Sequence, residues 1–371
     1  MKVMIDATPL LLRSAGVKAY LYHWIQALRV HAGAGTVLTF PPIRRIGPLH
    51  HEGSVATGME TLLGIGLLHH SNKLPFGALN YLARGADVFH ASNQIRKPPS
   101  RARLTATIHD LTCWRMPDFH TRGNVEADRS FAHRILKQAS GLIAVSENTR
   151  RDAIELLGIH PDKVVTIHSG VPESYFSATE EEARLVVRKH RLSKPYVLCV
   201  GTVEPRKNID RLLDAWASNE WFAEEFDLVL AGPAGWGSGS TLARLRSSPR
   251  GVRWLGYVAE DDMPGLTRGA TLLAYPSLYE GFGFPVAQAM AAGVPVITSN
   301  TSSLPEVAGP GAVLVDPHSV SDIGSALSRL LESVELRSRL GSAGREWAAA
   351  RYRWQRAAAE SWTFFSQVMG V

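Results

Sequence analysis

Glu280 is followed by glycine at alternate positions, Gly281-Phe282-Gly283-Phe284, and then by Pro285, inside the run YPSLYEGFGFPVAQAMAAGVPVITS at 275–299. Glycine lets a ligand approach the backbone, proline suits a first helical turn, and the N–H groups exposed there attract anions. A carboxylate beside an anion hole matches a molecule with hydroxyls at one end and phosphates at the other. A sugar nucleotide has that shape.

A second group, Gly201-Thr202-Val203-Glu204-Pro205-Arg206-Lys207-Asn208, joins a strand-like run at 196–200 to a helix predicted over 208–217. With Asn208 as the expected cap, Arg206 and Lys207 stand over the positive end of that helix. Two cations there repel each other and the dipole unless an anion sits between them. A diphosphate would relieve this, with Arg as fork and Lys as point charge. The lesser alternative for the pair, taken alone, is two solvated surface charges. A third group, Thr107-Ile108-His109-Asp110, places His109 at a strand end with Asp110 positioned to orient its imidazole. The loop Ser14-Ala15-Gly16-Val17 follows the first strand and can bring backbone N–H groups to a ligand, or be an ordinary turn.

The elements that must hold these groups alternate between strand and helix, which predicts α/β structure with parallel sheets. Strands are expected at 3–5, 37–40, 87–90, 104–108, 142–145 and 164–167, and helices at 19–28, 125–138 and 149–157, the last capped by Ser146. Residues 43–82 are less clear and include an aliphatic patch at 62–68. Residues 172–195 look like a linker, with Pro172 and Pro195 bounding a polar stretch. Further strands follow at 196–200, 227–231, 252–255, 270–275, 294–298 and 312–315. Helices are expected at 285–292, 320–332, 335–350 and from Trp354 onward.

At 371 residues, two domains are expected. A hydrophobic content of 45% with 20% charge is that of a soluble enzyme. No apolar run reaches a membrane span, and Asp6 and Arg13 break up any signal peptide. The two cysteines, Cys113 and Cys199, argue for a reducing compartment rather than a disulfide framework. Residues 1–175 hold 20 Lys and Arg against 13 Asp and Glu, so the net charge of +6 belongs to the N-terminal half. Such asymmetry suggests either an acidic partner or a solvated surface. His50, His51, His69 and His70 match no metal spacing and read as solvated loop residues. No aromatic-basic motif points to nucleic acid.

In order along the chain, IDATPLL, TATIHDLTCWRMPDFH, LIAVSENTRRD, IHSGV, VLCVGTVEPRKNIDRLLDAW, LVLAGPAGW, VRWLGYV, YPSLYEGFGFPVAQAMAAGVPVITSNTSSLPEVAG and AVLVDP resemble glycosyltransferase family 4. Within it, the chain is most similar to bacterial polysaccharide mannosyltransferases. The resemblance covers most of the chain and is weakest over 31–85. It implies a GT-B fold, two Rossmann-like doubly wound parallel-sheet domains facing a cleft. Residues 1–175 would form the acceptor domain and 176–353 the donor domain, with helix 354–371 crossing back.

The resemblance also implies roles. Arg206 and Lys207 would hold the donor diphosphate, and Glu280 would bind hydroxyls of the transferred sugar. Gly281, Phe282, Gly283 and Phe284 would touch sugar and phosphate through the backbone. Tyr257 and Val258 would face the base, and Thr202 would line the donor site. His109 would contact the sugar and stabilise developing charge. Gly16 would lie against phosphates or acceptor. The reaction implied is retaining hexosyl transfer without cofactor or metal, in the cytoplasm or peripherally at the inner membrane face. GDP-mannose is the favoured donor, with UDP-glucose, UDP-N-acetylglucosamine and dTDP-rhamnose as alternatives, and the acceptor is a glycan or lipid-linked glycan. Where the family pattern has a second glutamate eight residues after the first, this chain has Gln288, with one acceptor oxygen and a donor in place of a carboxylate. That departure leaves room for a non-catalytic sugar-nucleotide-binding homologue. A GT-B epimerase is a further alternative, although no extra carboxylates facing Glu280 are identified for it.

Overall fold

The computed structural model describes the whole chain except residues 15, 34, 44, 74–77 and 371. The chain divides into two compact units, the first built from 1–117, 121–170 and 354–371 and the second from 118–120 and 171–353.

In the first unit, six parallel strands form one sheet: β1 (Val3–Asp6), β2 (Val37–Phe40), β3 (Val88–Ala91), β4 (Arg103–Ile108), β5 (Gly141–Ala144) and β6 (Val164–Thr166). Their order is β2-β1-β3-β4-β5-β6. The strands are short and mostly apolar, and β1, β3 and β5 are buried along their whole length, as expected when helices cover both faces. The Glu147–Leu157 helix begins where Ser146 accepts a hydrogen bond from Thr149 N. The C-terminal helix, Trp354–Met369, belongs to this unit and packs on the Gly16–Ala32 helix. Trp24 Nε1 donates to Ser361 Oγ at 3.0 Å, and the Trp354 ring meets Tyr20 edge-on.

Two stretches differ from expectation. Residues 43–82 contain a helix, Gly58–Lys73, started by reciprocal hydrogen bonds between Thr57 and Glu60. The aliphatic patch lies on it: Leu67 and Leu68 pack on the core, while Leu62 and Leu63 are exposed beside Met59. His69 and His70 are therefore helical rather than in a loop. Residues 172–195 are not a simple linker. They form helices Glu173–Ser177 and Glu180–Lys189, the second opened by a Thr179–Glu182 capping box. Its acidic first turn and basic last turn suit the helix dipole, and Ala183 on this helix, with Tyr175 and Phe176 on the preceding one, are buried.

The second unit repeats the plan with β7 (Tyr196–Val200), β8 (Asp227–Ala231), β9 (Val252–Gly256), β10 (Leu272–Tyr275), β11 (Val296–Ser299) and β12 (Ala312–Val315), in the order β12-β11-β10-β7-β8-β9. All pairings are parallel. Among the described residues, no helix is long and apolar enough to cross a membrane.

Candidate functional site

In the second sheet β7 lies between β10 and β8, so the strand order reverses beside it. Open α/β sheets take ligands outside the carboxyl ends of strands at such a reversal. β7 runs out into the loop 201–208, and β10 into the loop 276–283. Close backbone approach shapes the base of the first loop. A Cβ on Gly232, after β8, would lie 1.9 Å from the Gly201 carbonyl oxygen. Glycine is therefore required there.

The two loops are laced together. Leu278 N donates to Arg206 O at 2.8 Å, and Arg206 Nη1 donates to Tyr279 O at 2.6 Å. Asn208, buried and left-handed at φ 58°, donates from Nδ2 to Pro276 O at 2.9 Å and Pro317 O at 2.7 Å. It occupies the N-cap position of helix Ile209–Ala217 but makes no side-chain cap. The expected capping role is thus replaced by bracing, because the αL backbone turns the amide toward the neighbouring loop.

Arg206 and Lys207 do have an anion between them, and it is Glu280. Arg206 Nη1 is 2.7 Å from Glu280 Oε2, and Lys207 Nζ is 2.6 Å from Oε1. Oε1 also accepts from Tyr275 Oη at 2.8 Å and Ser277 Oγ at 2.6 Å. Glu204 holds the other edge of the guanidinium, with Arg206 Nη2 to Glu204 Oε1 at 2.6 Å. Two cations and two carboxylates therefore form a buried cluster of zero net charge. Burial pushes the Glu280 carboxyl up, but the Arg206 and Lys207 charges outweigh it and hold the group down at about 2. Burial lowers the Lys207 ammonium and raises the Tyr275 phenol, the latter helped by the Glu280 charge.

The loop carrying Glu280 is held from the far side by residues following β11. Glu280 N donates to Ser302 Oγ at 3.0 Å, and Ser303 Oγ donates toward Glu280 O at 2.9 Å and Phe282 O at 3.0 Å. Gly281 and Phe282 are buried, and the Phe282 ring packs against Phe284 and Tyr352. Gly283 sits at the N-cap of helix Phe284–Ala291 with φ 96°, a conformation that admits glycine readily. Gln288 lies one turn on, partly buried. Thr202 shares the Arg206 loop, its methyl against Gly235. Tyr257 and Val258 follow β9, the edge strand, which stands two strands from β7. At the usual strand spacing that is roughly 10 Å across the sheet.

His109 and Gly16 belong to the first unit. His109 follows β4, its ring edge-on to Tyr20 with centroids 4.8 Å apart. Burial pushes its imidazole down to about 4, against the opposing pull of Asp110, so it is neutral at pH 7. Asp110 does not orient the ring by a hydrogen bond. Its Oδ1 accepts instead from Thr112 N at 3.0 Å and Thr112 Oγ1 at 2.7 Å, starting the next helical turn. Asp6, the last residue of β1, makes the same turn with Thr8 and is fully buried. Gly16 opens the Gly16–Ala32 helix, with open space where a Cβ would be. Ala15 lies outside the described residues.

Sequence reasoning thus placed Arg206, Lys207 and Glu280 in one site. It missed Glu204, Tyr275, Ser277 and Ser302 as their partners. The Ser-x-x-Glu spacing at 277–280 and the serine pair Ser302-Ser303, in the loop after β11, were the available signals. Among the described residues, no group of three or more His, Cys, Asp or Glu is placed to hold a metal ion.

Comparison with known proteins bears directly on this arrangement. Residues 15–175 match the model of Glycosyltransferase Family 4, and residues 181–347 that of Glycosyl transferases group 1, together most of the chain. The chain belongs to glycosyltransferase family 4. Among curated relatives, this family 4 chain is 34% identical over 250 residues to O-antigen chain mannosyltransferase B of Escherichia coli, covering 66% of itself and 65% of the relative. It is 31% identical over 202 residues to the serotype-specific mannosyltransferase WbdA of the same species, covering 53% of itself and 25% of that protein. The chain therefore spans less than two thirds of the length of these relatives. Sucrose-phosphate synthase from Thermosynechococcus elongatus shares the fold, with a TM-score of 0.76 at 19% identity over 99% of this chain and 98% of that one. The two-unit α/β plan is that of the GT-B glycosyltransferases.

Proposed function

We propose that this family 4 chain is a retaining hexosyltransferase, moving mannose from GDP-mannose to a glycan or lipid-linked acceptor in surface polysaccharide or glycoconjugate assembly. The observation that carries the reading is the Arg206–Glu280–Lys207 cluster at the β7/β10 reversal. The mannosyltransferase names of the relatives support the sugar.

In this reading the diphosphate takes over the cations that Glu280 now neutralises, and Glu280 is released toward sugar hydroxyls. Thr202 and the backbone of Gly281–Phe284 line sugar and phosphate, Tyr257 and Val258 meet the base, and Gln288 meets the ribose. Neutral His109 contacts the sugar, and Gly16 the phosphates or acceptor. The C1–oxygen bond to the diphosphate breaks while a C1–oxygen bond to the acceptor forms on the same face. The leaving phosphate oxygen takes the acceptor proton. Arg206 and Lys207 supply the charge for departure, so the proposal includes no metal. A peripheral membrane contact is part of it, supported by the basic N-terminal half and the exposed Met59, Leu62 and Leu63.

A thermal-shift panel of sugar nucleotides tests the reading. GDP-mannose should raise the melting temperature more than UDP- or dTDP-sugars, and transfer should follow when a glycan acceptor is added. A panel in which no sugar nucleotide stabilises the chain would defeat it. Gln288 favours one second reading, a binding homologue without turnover, which predicts stabilisation but no transfer.

A further inference from the structure

The first unit carries a second concentration of positive charge at the opposite end of its sheet. A cavity of about 860 Å³, open to solvent along one side, is lined by the exposed Arg96, Lys97, Arg101, Arg103 and Arg134, with Gln138 beside them. Among the described residues, its lining includes no Asp or Glu and no aromatic ring. Arg103 is the first residue of β4, whereas His109 follows the last. Six steps of strand separate them, roughly 20 Å, so one ligand of ordinary size does not serve both.

The basic loop is built rather than loose. Asn72 Oδ1 accepts from Arg96 N at 2.8 Å, and Asn72 Nδ2 donates to Gln94 O at 3.0 Å. Asn80 Oδ1 accepts from Ser100 N at 3.0 Å. Pro98 and Pro99 stiffen the stretch between. Lys97 Nζ donates to Lys73 O at 3.0 Å and Arg134 Nε to Ser130 Oγ at 3.2 Å, both uncharged acceptors. Asp87, just before β3, accepts from Arg103 N through its carbonyl at 2.9 Å, and its Oδ2 accepts from Lys2 N at 2.7 Å. Five cations held together without a carboxylate in the lining raise the local potential and favour a bound anion.

We infer that this cavity binds an oligophosphate, a ligand with two or more phosphate groups. Its volume lies within the range of about 300–1,000 Å³ that holds a small-molecule ligand, more than one phosphate fills. The phosphates come either from a soluble oligophosphate or from anionic lipid headgroups.

The test is calorimetric titration of inorganic tripolyphosphate into the full chain, into R101Q/R103Q and into R206Q/K207Q. All cavity arginines are exposed, and circular dichroism melting checks that each variant folds. The expected result is at least a tenfold loss of affinity in R101Q/R103Q, with one binding event retained in R206Q/K207Q. Co-sedimentation with phosphatidylglycerol vesicles identifies the source. Vesicle binding that needs Arg101 and Arg103 and is displaced by tripolyphosphate assigns the site to headgroups. Vesicle binding that is absent, or indifferent to the two arginines, assigns it to soluble ligand. Equal tripolyphosphate affinity in R101Q/R103Q and the unaltered chain overturns the inference, as does no binding by the unaltered chain.

Discussion

Lys207 Nζ lies 2.6 Å from Glu280 Oε1, so the carboxylate expected to meet a sugar already neutralises a cation expected to meet a diphosphate. Glu280 and a diphosphate thus compete for the same positive charge. Glu280→Gln should leave GDP binding unchanged or tighter by calorimetry, because the cluster gains net positive charge. Transfer should fall at least about a hundredfold, the scale of losing one stabilising group in a transition state. Weaker GDP binding with full turnover would contradict both roles.

The same ion cluster makes stability depend on pH. Glu280 is held at about 2, below its ordinary 4.5, so its contribution is complete above pH 4.5 and disappears as pH falls toward 2. At about 1.4 kcal/mol per unit this amounts to roughly 3 kcal/mol. Denaturant titration should show the unaltered chain more stable than Glu280→Gln at pH 6, with the gap closing between pH 5 and 2.5. A gap that stays constant over that range would mean the carboxylate is not held ionised by its neighbours.

Asn208 braces its loop against two others through buried contacts to the Pro276 carbonyl after β10 and the Pro317 carbonyl after β12. Asn208→Ala should cost about 1–3 kcal/mol for the orphaned groups and about 1 kcal/mol more for the left-handed backbone. Asn208→Gly removes only the backbone penalty. It should therefore recover part of the stability while GDP affinity stays several-fold weak in both variants. Normal affinity in either would show that the loops hold their relation without the brace.

Gln288 stands on the helix that Gly283 and Pro285 start. If it meets the ribose, Gln288→Glu should tighten nucleotide binding by up to about tenfold, the worth of one charge-assisted hydrogen bond, or leave it unchanged. A large loss in the same titration would show that the amide donor has another task.

Chelation separates charge supplied by side chains from charge supplied by an ion. With Arg206 and Lys207 neutralising the leaving diphosphate, transfer in excess EDTA should proceed at the untreated rate. Restoration of a lost rate by added magnesium or manganese would refute that division of labour.

What could be read from the residues alone was local: alternating apolar runs announced two parallel sheets, and glycine, proline and charge at strand ends marked the loops carrying Arg206, Lys207 and Glu280. These signals are legible because they depend on near neighbours in the chain. The helix at Gly58–Lys73 was not legible, since its apolar residues face both core and solvent and blur the periodicity. Nor were the partners of Glu280. Lys207 and Glu280 are 73 residues apart, and only the order of strands β10 and β7 makes them neighbours. The same holds for the basic cavity, where Arg134 meets the 96–103 stretch because β4 and β5 pair, bringing their leading ends together. Residue types announced the chemistry, while long-range pairing decided which charges neutralise one another and which are left for a ligand.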